Sequence, residues 1–225
     1  MIYHKINSIF KRRMDTKEKL FILGDFADPA VEYLKDNEWE FTEKIDGTNI
    51  RVMFDGETIK FGGKTDNAQL PVPLYEHLDT TFKPKLELFK ETFTNLDGVK
   101  VILFGEGCGW KIQKGGMGYV NNEKRQDFIL FDVRIGDWFL KREDVEGIAG
   151  KFDVRVVPVV GCGTIGDAIE IVSGGTISTY GNFIMEGLVL RPKVELKDRS
   201  GKRIITKIKY RDFKHLQEVK EEIDG

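Results

Sequence analysis

The segment from Glu43 to Asn49, Glu-Lys-Ile-Asp-Gly-Thr-Asn, combines groups that could do chemistry: an amine, two carboxylates and an amide. Its simplest interpretation is structural, because Asp46-Gly47 is a favourable turn pair and Asn49 tolerates unusual backbone angles. A second interpretation makes Lys44 a nucleophile that attacks a nucleotide phosphate. Attack requires a neutral amine, and neutralising an ordinary lysine at pH 7 costs about 4–5 kcal/mol. The chemical interpretation therefore needs other groups near Lys44.

Downstream segments supply groups of the right kinds. Glu106 ends one apolar run, and Glu186 opens another. Phe131 lies within a third run, while Lys207 and Lys209 alternate along a fourth. Carboxylates can hold magnesium, an aromatic ring can stack on a base, and ammonium groups can neutralise a transferring phosphate. The alternatives are solvated strand ends for the glutamates, a core ring, and a half-exposed strand for the lysines.

Taken in order, these segments resemble the covalent nucleotidyltransferases, which comprise DNA ligases, RNA ligases and messenger-RNA capping enzymes. The resemblance is strongest to the double-strand RNA ligases, which seal nicks. Residues 43–49 are similar to their nucleophile motif, and Trp-Lys-Ile-Gln-Lys at 110–114 is similar to their Gly-Ile-Gln-Lys segment. The ordered combination is far more specific than any single motif.

The resemblance implies a role for each matching side chain. Lys44 would take up AMP, and Asp46 and Asn49 would serve the nucleotide, Asn49 near the ribose. Lys207 and Lys209 would be catalytic, binding the α-phosphate and metal-bound water. Phe131 would stack on adenine, and Lys64 would contact phosphate. The complete implied nucleotide-binding set is Glu43, Lys44, Asn49, Lys64, Glu106, Phe131, Glu186, Lys207 and Lys209.

The sequence favours an oxygen-liganded metal. Three histidines, at positions 4, 77 and 215, lack ligand spacing, and neither Cys108 nor Cys162 belongs to a C-x-x-C pair, so zinc is not expected. The resemblance implies ATP and Mg²⁺, or Mn²⁺, as cofactors, with Glu106 and Glu186 as metal ligands.

A basic strip near the end of the sequence suggests a polynucleotide partner. Net charge is −2, but residues 191–214 hold ten Lys or Arg against three Asp or Glu. Such a strip suits local phosphate contacts rather than general polyanion binding. The residues expected to contact nucleic acid are Arg191, Lys197, Arg199, Lys202 and Arg203.

Two residues and the chain length depart from the family pattern. Lys64 stands where these ligases usually carry arginine, and Arg191 stands where many carry lysine. The sequence ends soon after Lys209, where relatives often continue into an oligonucleotide-binding barrel. We therefore expect one nucleotidyltransferase domain over residues 1–225, with end binding by the basic strip or by a helper protein.

The pattern of elements predicts an α+β fold with largely antiparallel sheets, and the resemblance implies an ATP-grasp-like adenylyltransferase domain with flanking helices. Predicted helices span 29–36, 74–93 with an interruption at Pro84, 164–172 with Thr164 as cap, and 213–223. Predicted strands span 49–54, 57–63, 99–107, 127–140 with a turn at 136–137, 186–192 and 202–210.

The leading functional hypothesis is an ATP-dependent RNA ligase that joins 5′-phosphate and 3′-hydroxyl ends, either free RNA ends or a nicked RNA, DNA or hybrid duplex. Alternatives are a minimal DNA ligase and an end-binding module with a retired active site. A capping enzyme is disfavoured, since capping enzymes favour arginine where this chain has Asn49. No apolar run suits a membrane span, and the two cysteines fit a reducing compartment, so a cytoplasmic protein is expected.

Overall fold

The computed structural model describes residues 2–15, 17 and 19–213. Their strands are β1 (Asn7–Ser8), β2 (Phe10–Arg12), β3 (Phe21–Phe26), β4 (Trp39–Glu43), β5 (Thr48–Phe54), β6 (Ile59–Gly62), β7 (Val101–Gly109), β8 (Gln126–Ile135), β9 (Trp138–Phe139), β10 (Arg155–Val156), β11 (Val159–Gly163), β12 (Gly187–Pro192) and β13 (Thr206–Lys209). The α-helices are α1 (Pro29–Tyr33), α2 (Val72–Phe82), α3 (Leu86–Thr92), α4 (Arg142–Lys151) and α5 (Ile165–Ser173). Short 3-10 turns span Lys83–Lys85, Gly116–Val120 and Tyr210–Asp212.

The predicted α+β class with mostly antiparallel sheets is confirmed. The helical segment around Pro84 is two helices, α2 and α3, joined by the 3-10 turn that contains this proline, which cannot continue the α-helical hydrogen bonding. Thr164 caps α5 as predicted. Its hydroxyl accepts from the Asp167 N–H at 3.2 Å, and the Asp167 carboxylate accepts from the Thr164 N–H at 2.7 Å.

Some elements differ from the sequence-based prediction. The strand predicted over 202–210 is shorter, because only Thr206–Lys209 pairs continuously. The sequence patterns did not predict β1–β4 or α4, whose Gly147 and Gly150 weaken a helical signal. The helix predicted over 213–223 extends outside the described residues.

The chain divides into two compact units. The first unit contains residues 2–4 and Ile45–Val157, and the second contains Lys5–Lys44 and the described chain from Pro158 onward. One nucleotidyltransferase domain over 1–225 stays a prediction. Within the described residues, no helix is both long and apolar enough to cross a membrane.

The first unit is built on a sheet with strand order β10-β8-β7-β5-β6, and β9 also pairs with β8. One face forms a core with α2, α3 and α4, because side chains two apart on each strand share a face. On β5 these residues are Ile50, Val52 and Phe54, all essentially inaccessible to solvent. The alternate residues, including Asn49 and Arg51, therefore lie on the opposite face, which we call the open face of the first unit.

The second unit has a sheet with strand order β1-β13-β12-β4-β11 and a separate β2-β3 hairpin. Its core lies on one face of the sheet and includes Trp39 and Phe41 of β4 together with residues of α5. Leu188 and Leu190 on β12 and Ile208 on β13 belong to the same core. The residues that alternate with them define the open face of the second unit.

Candidate active site

Lys44 directly follows β4, an inner strand of the second unit's sheet. Its backbone N–H donates to the Gly187 carbonyl at 2.9 Å, so the pairing with β12 continues through Lys44. By the alternation of strand residues, Lys44 belongs with Glu40 and Thr42 on the open face, away from Trp39 and Phe41. The local sequence thus places the predicted nucleophile at the end of a well-anchored strand.

Glu186 holds Lys44 and Lys209 together. The Lys44 Nζ lies 2.6 Å from Glu186 Oε2, and the Lys209 Nζ lies 2.5 Å from Glu186 Oε1. All three side chains are 16–19% exposed. Burial opposes ionisation of Glu186, but the charges and hydrogen bonds of the two lysines outweigh it and lower its pKa below the ordinary value. The structure therefore brings together three predicted site residues.

Gly187 makes this arrangement possible. A Cβ at this position would lie 2.0 Å from the Ile208 carbonyl oxygen and 2.7 Å from the Lys209 Cα, and the backbone φ is +154°. No side chain fits such a close approach between β12 and β13. The glycine therefore lets the residue before it, Glu186, lie directly beside Lys209.

Lys207 lies on the same strand face as Lys209. In β13 the buried residues Thr206 and Ile208 alternate with the half-buried Lys207 and Lys209, as the sequence predicts. Lys207 is the register partner of Val189, and Lys209 that of Gly187. The second unit thus presents Lys44, Lys207 and Lys209 from one sheet face.

Glu43 points away from these lysines. It is 1% exposed, and its carboxylate accepts hydrogen bonds from the Ser178 hydroxyl at 2.6 Å and from the Thr179 hydroxyl and N–H at 2.8 and 3.1 Å. Its side chain anchors the segment that leads toward Glu186. The prediction that Glu43 binds the nucleotide finds no support in this geometry, because neighbouring strand residues face opposite sides.

Asn49 and Glu106 are cross-strand partners on the open face of the first unit. Within the part of the chain that the structure describes, Asn49 Oδ1 is a buried oxygen with no hydrogen-bond partner. Buried polar atoms normally have partners, so this oxygen suits a ligand donor such as a sugar hydroxyl.

Gly47 has to be glycine here, because a Cβ would lie 2.3 Å from the Gly107 carbonyl oxygen and 2.8 Å from Glu106 Cγ.

Asp46, which the resemblance assigned to the nucleotide, bonds instead within the first unit. Its N–H donates to the Tyr119 hydroxyl at 3.1 Å, and its carboxylate accepts from the Gly115 N–H at 3.2 Å. These bonds tie the turn after Lys44 to the segment that follows the Trp-Lys-Ile-Gln-Lys motif. The Asp-Gly pair therefore serves as a structural turn, as the first interpretation of the segment expects, and the nucleophilic role of Lys44 stays a prediction.

Phe131 lies on the open face of the first unit and does not belong to its core cluster. The register of β7 with β8 shifts between Phe104 and Gly105, which pair with Asp132 and Leu130, so Phe131 is the extra residue of a bulge. Its ring is half-buried. Adenine stacking stays a prediction, and Phe131 lies outside the core cluster of the first unit.

Lys64 is exposed and lies in the turn after β6. The buried Arg51 holds this turn, donating from Nε to the Gly63 carbonyl at 2.8 Å and from Nη1 to Asp66 Oδ1 at 2.7 Å. Arg51 carried no signal in the sequence, since one arginine within an apolar strand predicts neither burial nor an ion pair with an exposed turn. Arg51 lies on the open face and holds the turn that carries Lys64, the predicted phosphate contact.

The predicted nucleic-acid residues separate into two groups. Lys197, Arg199 and Lys202 are exposed in the segment between β12 and β13. Arg203 is instead buried, and its guanidinium lies 3.0 Å from Glu195. Arg191 is half-buried opposite Glu40. Arg203 is therefore less accessible to a polynucleotide than the three exposed cations, and its nucleic-acid contact stays a prediction.

The two carboxylates expected to hold a metal fall on different units, Glu106 on the first and Glu186 on the second. Among the residues that the structure describes, no group of three or more His, Cys, Asp or Glu side chains could hold a metal ion. These donors fit an ion bound largely through substrate phosphates, as Mg²⁺ commonly is, with one carboxylate oxygen from either glutamate. They do not fit an ion caged by protein alone.

A family model described as RNA ligase matches residues 37–209. The chain belongs to the RNA ligase family. The match covers every predicted catalytic and nucleotide-binding residue, from Glu43 to Lys209. No protein with a curated description matches the chain.

Solved structures of an RNA ligase from Naegleria gruberi share the fold. A structure with pyrophosphate has a TM-score of 0.61 and 21% identity, over 86% of this chain and 55% of that one. A mutant with ATP and manganese has a TM-score of 0.60 and 19% identity, over 94% of this chain and 63% of that one. A ligand-free mutant has a TM-score of 0.60 at 21% identity. The present chain thus spans between about half and two thirds of these solved chains.

Proposed function

We propose that this chain is an ATP-dependent RNA ligase that joins 5′-phosphate and 3′-hydroxyl ends through lysyl-AMP and adenylylated-RNA intermediates. The observation that carries the proposal is the contact of Lys44 with Glu186, which also holds Lys209, in a member of the RNA ligase family. A strand-end lysine beside a second ammonium group and a carboxylate has the components that phosphoryl transfer to an amine requires.

In the first step Lys44 Nζ attacks the α-phosphorus of ATP. An N–P bond forms, the bond to the pyrophosphate oxygen breaks so that pyrophosphate leaves, and the amine nitrogen releases one proton to solvent and keeps one hydrogen as a phosphoramidate. An ammonium has no lone pair, so Lys44 must lose a proton and its ion pair with Glu186 before it reacts. Lys207 and Lys209 neutralise charge on the phosphate as the bond breaks.

The next steps return the lysine to its starting state. A 5′-phosphate oxygen of RNA attacks the lysyl-AMP phosphorus, breaks the N–P bond and forms adenylylated RNA. The 3′-hydroxyl then attacks the 5′-phosphorus, forms the phosphodiester and expels AMP. In this scheme Asn49 binds the ribose, Phe131 stacks on adenine, and Lys64 contacts phosphate. Mg²⁺ or Mn²⁺, with a carboxylate oxygen of Glu106 or of Glu186 as a ligand, would supply charge neutralisation at the phosphates.

The substrate is proposed to be RNA ends or a nicked duplex, held by the exposed cations Lys197, Arg199 and Lys202 and by Arg191. Manganese and ATP in the solved Naegleria ligase support the choice of nucleotide and metal. A helper protein that assists end binding is part of the same proposal.

The test is incubation with α-labelled ATP or GTP, followed by denaturing electrophoresis and by sealing of matched RNA, DNA and hybrid nicks. We expect protein-linked label from ATP and not from GTP, and sealing of strands with RNA ends. Label from GTP alone would indicate capping chemistry, and sealing of DNA alone would indicate a DNA ligase. RNA binding without label from either nucleotide would indicate a binding module and refute the proposal.

A further inference from the structure

An aromatic cluster covers part of the first unit's open face. The Tyr3 ring centroid lies 4.7 Å from that of His4, 4.9 Å from Phe104, 5.2 Å from Phe131 and 6.0 Å from Phe139. The planes of Tyr3 and Phe131 meet at 78°, an edge-to-face contact. A residue far from β8 in sequence thus touches the ring that the proposed function assigns to adenine.

Tyr3 also binds the residue next to Phe131. Its hydroxyl donates to Asp132 Oδ2 at 2.5 Å, and the two residues are 8% and 0% exposed. A carboxylate so deeply buried requires polar partners, because its transfer out of water is otherwise very unfavourable. Removing the Tyr3 hydroxyl would deprive Asp132 of a donor within the fold.

The hydrogen bond between Tyr3 and Asp132 lies beside a bulge, where the strand backbone does not by itself fix the direction of the Phe131 side chain. Leu130 and Val133 both belong to the core, so the two residues between them share the open face, as expected at a bulge. Regular pleating would fix the direction of a side chain, but a bulge interrupts the ladder of hydrogen bonds. The direction of the Phe131 ring therefore depends on what packs beside it.

We propose that Tyr3 is a positioning residue for adenine recognition. Its hydroxyl fixes Asp132, its ring abuts Phe131, and together these contacts hold Phe131 in one orientation for stacking on the base. This inference rests on the proposed function, because it assigns adenine to Phe131. A ring that is already ordered before binding loses less conformational freedom when the base arrives, so the contact strengthens nucleotide binding rather than the chemical step.

The test measures lysyl-AMP formation against ATP concentration for the wild type, Tyr3→Phe and Asp132→Asn. For Tyr3→Phe we expect the half-saturating ATP concentration to rise about 3- to 10-fold, in line with the strength of one aromatic or hydrogen-bonded contact. The limiting rate at saturating ATP should stay within about twofold of the wild type. Asp132→Asn keeps an acceptor for the Tyr3 hydroxyl and should have the smaller effect.

A base-free substrate separates positioning from a general structural role. Pyrophosphate drives the reverse reaction, releasing ATP from lysyl-AMP, and its half-saturating concentration should be unchanged in Tyr3→Phe. The matched control is Tyr33→Phe, which removes a hydroxyl from a tyrosine that is 88% exposed in the second unit. This control should leave both half-saturating concentrations unchanged.

Three results would overturn the inference while leaving the proposed function intact. The first is a lower limiting rate with unchanged half-saturation, which would show only a loss of folded protein. The second is an equal rise for ATP and pyrophosphate. The third is a lower half-saturating ATP concentration for Tyr3→Ala, which would mean that the tyrosine ring occupies the place of the base. Absence of label in the wild type would instead refute the proposed function. If Tyr3→Phe does not fold, Asp132→Asn decides: it should raise the half-saturating ATP concentration by a smaller factor and leave that of pyrophosphate unchanged, and no rise for ATP would overturn the inference.

Discussion

The open faces of the two units carry polar groups in contrasting states. On the second unit, Glu186 bridges Lys44 and Lys209 at 2.6 and 2.5 Å, so one carboxylate already offsets part of the charge of two ammonium groups before any ligand arrives. On the first unit, the Asn49 side-chain oxygen is buried and has no partner among the described residues. The Lys44, Glu186 and Lys209 side chains thus already pair with one another, whereas Asn49 keeps an acceptor oxygen available. In the proposed function, the charged group would serve phosphoryl transfer and the Asn49 oxygen would serve the nucleoside.

The largest expected effect is loss of the nucleophile. Lys44→Ala should abolish protein-linked AMP, because no other amine replaces one that forms the covalent bond. The measurement is label incorporation from α-labelled ATP, with thermal unfolding to verify the fold. Lys60→Ala is the control, since Lys60 is an exposed lysine of the first unit whose contact, with Asp55, is 3.6 Å long. Full labelling of the Lys44 variant would assign the reactivity to another residue.

Both glutamates should matter for activity. Glu186→Gln and Glu106→Gln should each lower AMP transfer by about 100-fold, as expected for loss of a charge at a phosphoryl-transfer site. Glu186→Gln should also lower the free energy of unfolding, by about 1–3 kcal/mol, because it leaves two ammonium groups without their shared counter-charge.

Urea unfolding of both glutamine variants measures this difference, and titration of Mg²⁺ or Mn²⁺ against excess chelator tests the metal. An unchanged free energy of unfolding in Glu186→Gln would show that the carboxylate between the two lysines does not stabilise the second unit. Full activity in chelator would show that the proposed carboxylate ligands are misassigned.

A smaller effect separates substrate binding from nucleotide transfer. Replacing Lys197, Arg199 and Lys202 together by glutamine should weaken RNA binding and flatten its dependence on salt, by about 2–3 in the logarithmic slope if all three contact phosphate. AMP transfer to Lys44 should stay unchanged, whereas Lys207→Gln should impair it without RNA present.

The matched control for the triple variant removes the same charge from the first unit, at the exposed lysines 60, 124 and 151. It should retain both RNA affinity and salt dependence. If the triple variant lost AMP transfer while Lys207→Gln kept it, the assignment of the two groups of cations would be reversed.

The smallest effect concerns acid stability of the first unit. Backbone hydrogen bonds from Thr58 and Glu57 lower the pKa of Asp55 to about 2, against 3.8 ordinarily. A depressed carboxylate pKa contributes stability above the unfolded-state value, and this is lost as pH falls from about 4 to about 2. Asp55→Asn should therefore be less stable than the wild type at pH 7, and the difference should shrink below pH 4. A difference that is constant with pH would show that charge at Asp55 is irrelevant.

The parts of the site that depend on neighbouring residues could be predicted from the sequence. The alternation of Lys207 and Lys209, the turn at Asp46-Gly47 and the cap at Thr164 are properties of short segments, and each appears in the structure as expected. The roles of these site residues stay predictions.

The parts that depend on distant residues could not be predicted. Nothing near Arg203 indicates its burial beside Glu195, and nothing near Tyr3 indicates that its hydroxyl meets a carboxylate 129 residues later. The orientation of Glu43 could be predicted, because strand alternation alone places its side chain on the other side of the sheet from Lys44. Its three hydrogen bonds to Ser178 and Thr179 still required the tertiary structure.

The discontinuous sequence of the second unit has a consequence during synthesis on the ribosome. Lys44 precedes Lys209 by 165 residues, and its strand pairs with β11 and β12, which follow the first unit. At about 5–20 residues per second, the ribosome needs roughly 10–30 s to deliver these partners after Lys44 itself. Most of the first unit is contiguous and can fold during that interval. The first unit should therefore fold first, and Lys44 should gain its contact with Glu186, which also binds Lys209, only after the last strands have been synthesised.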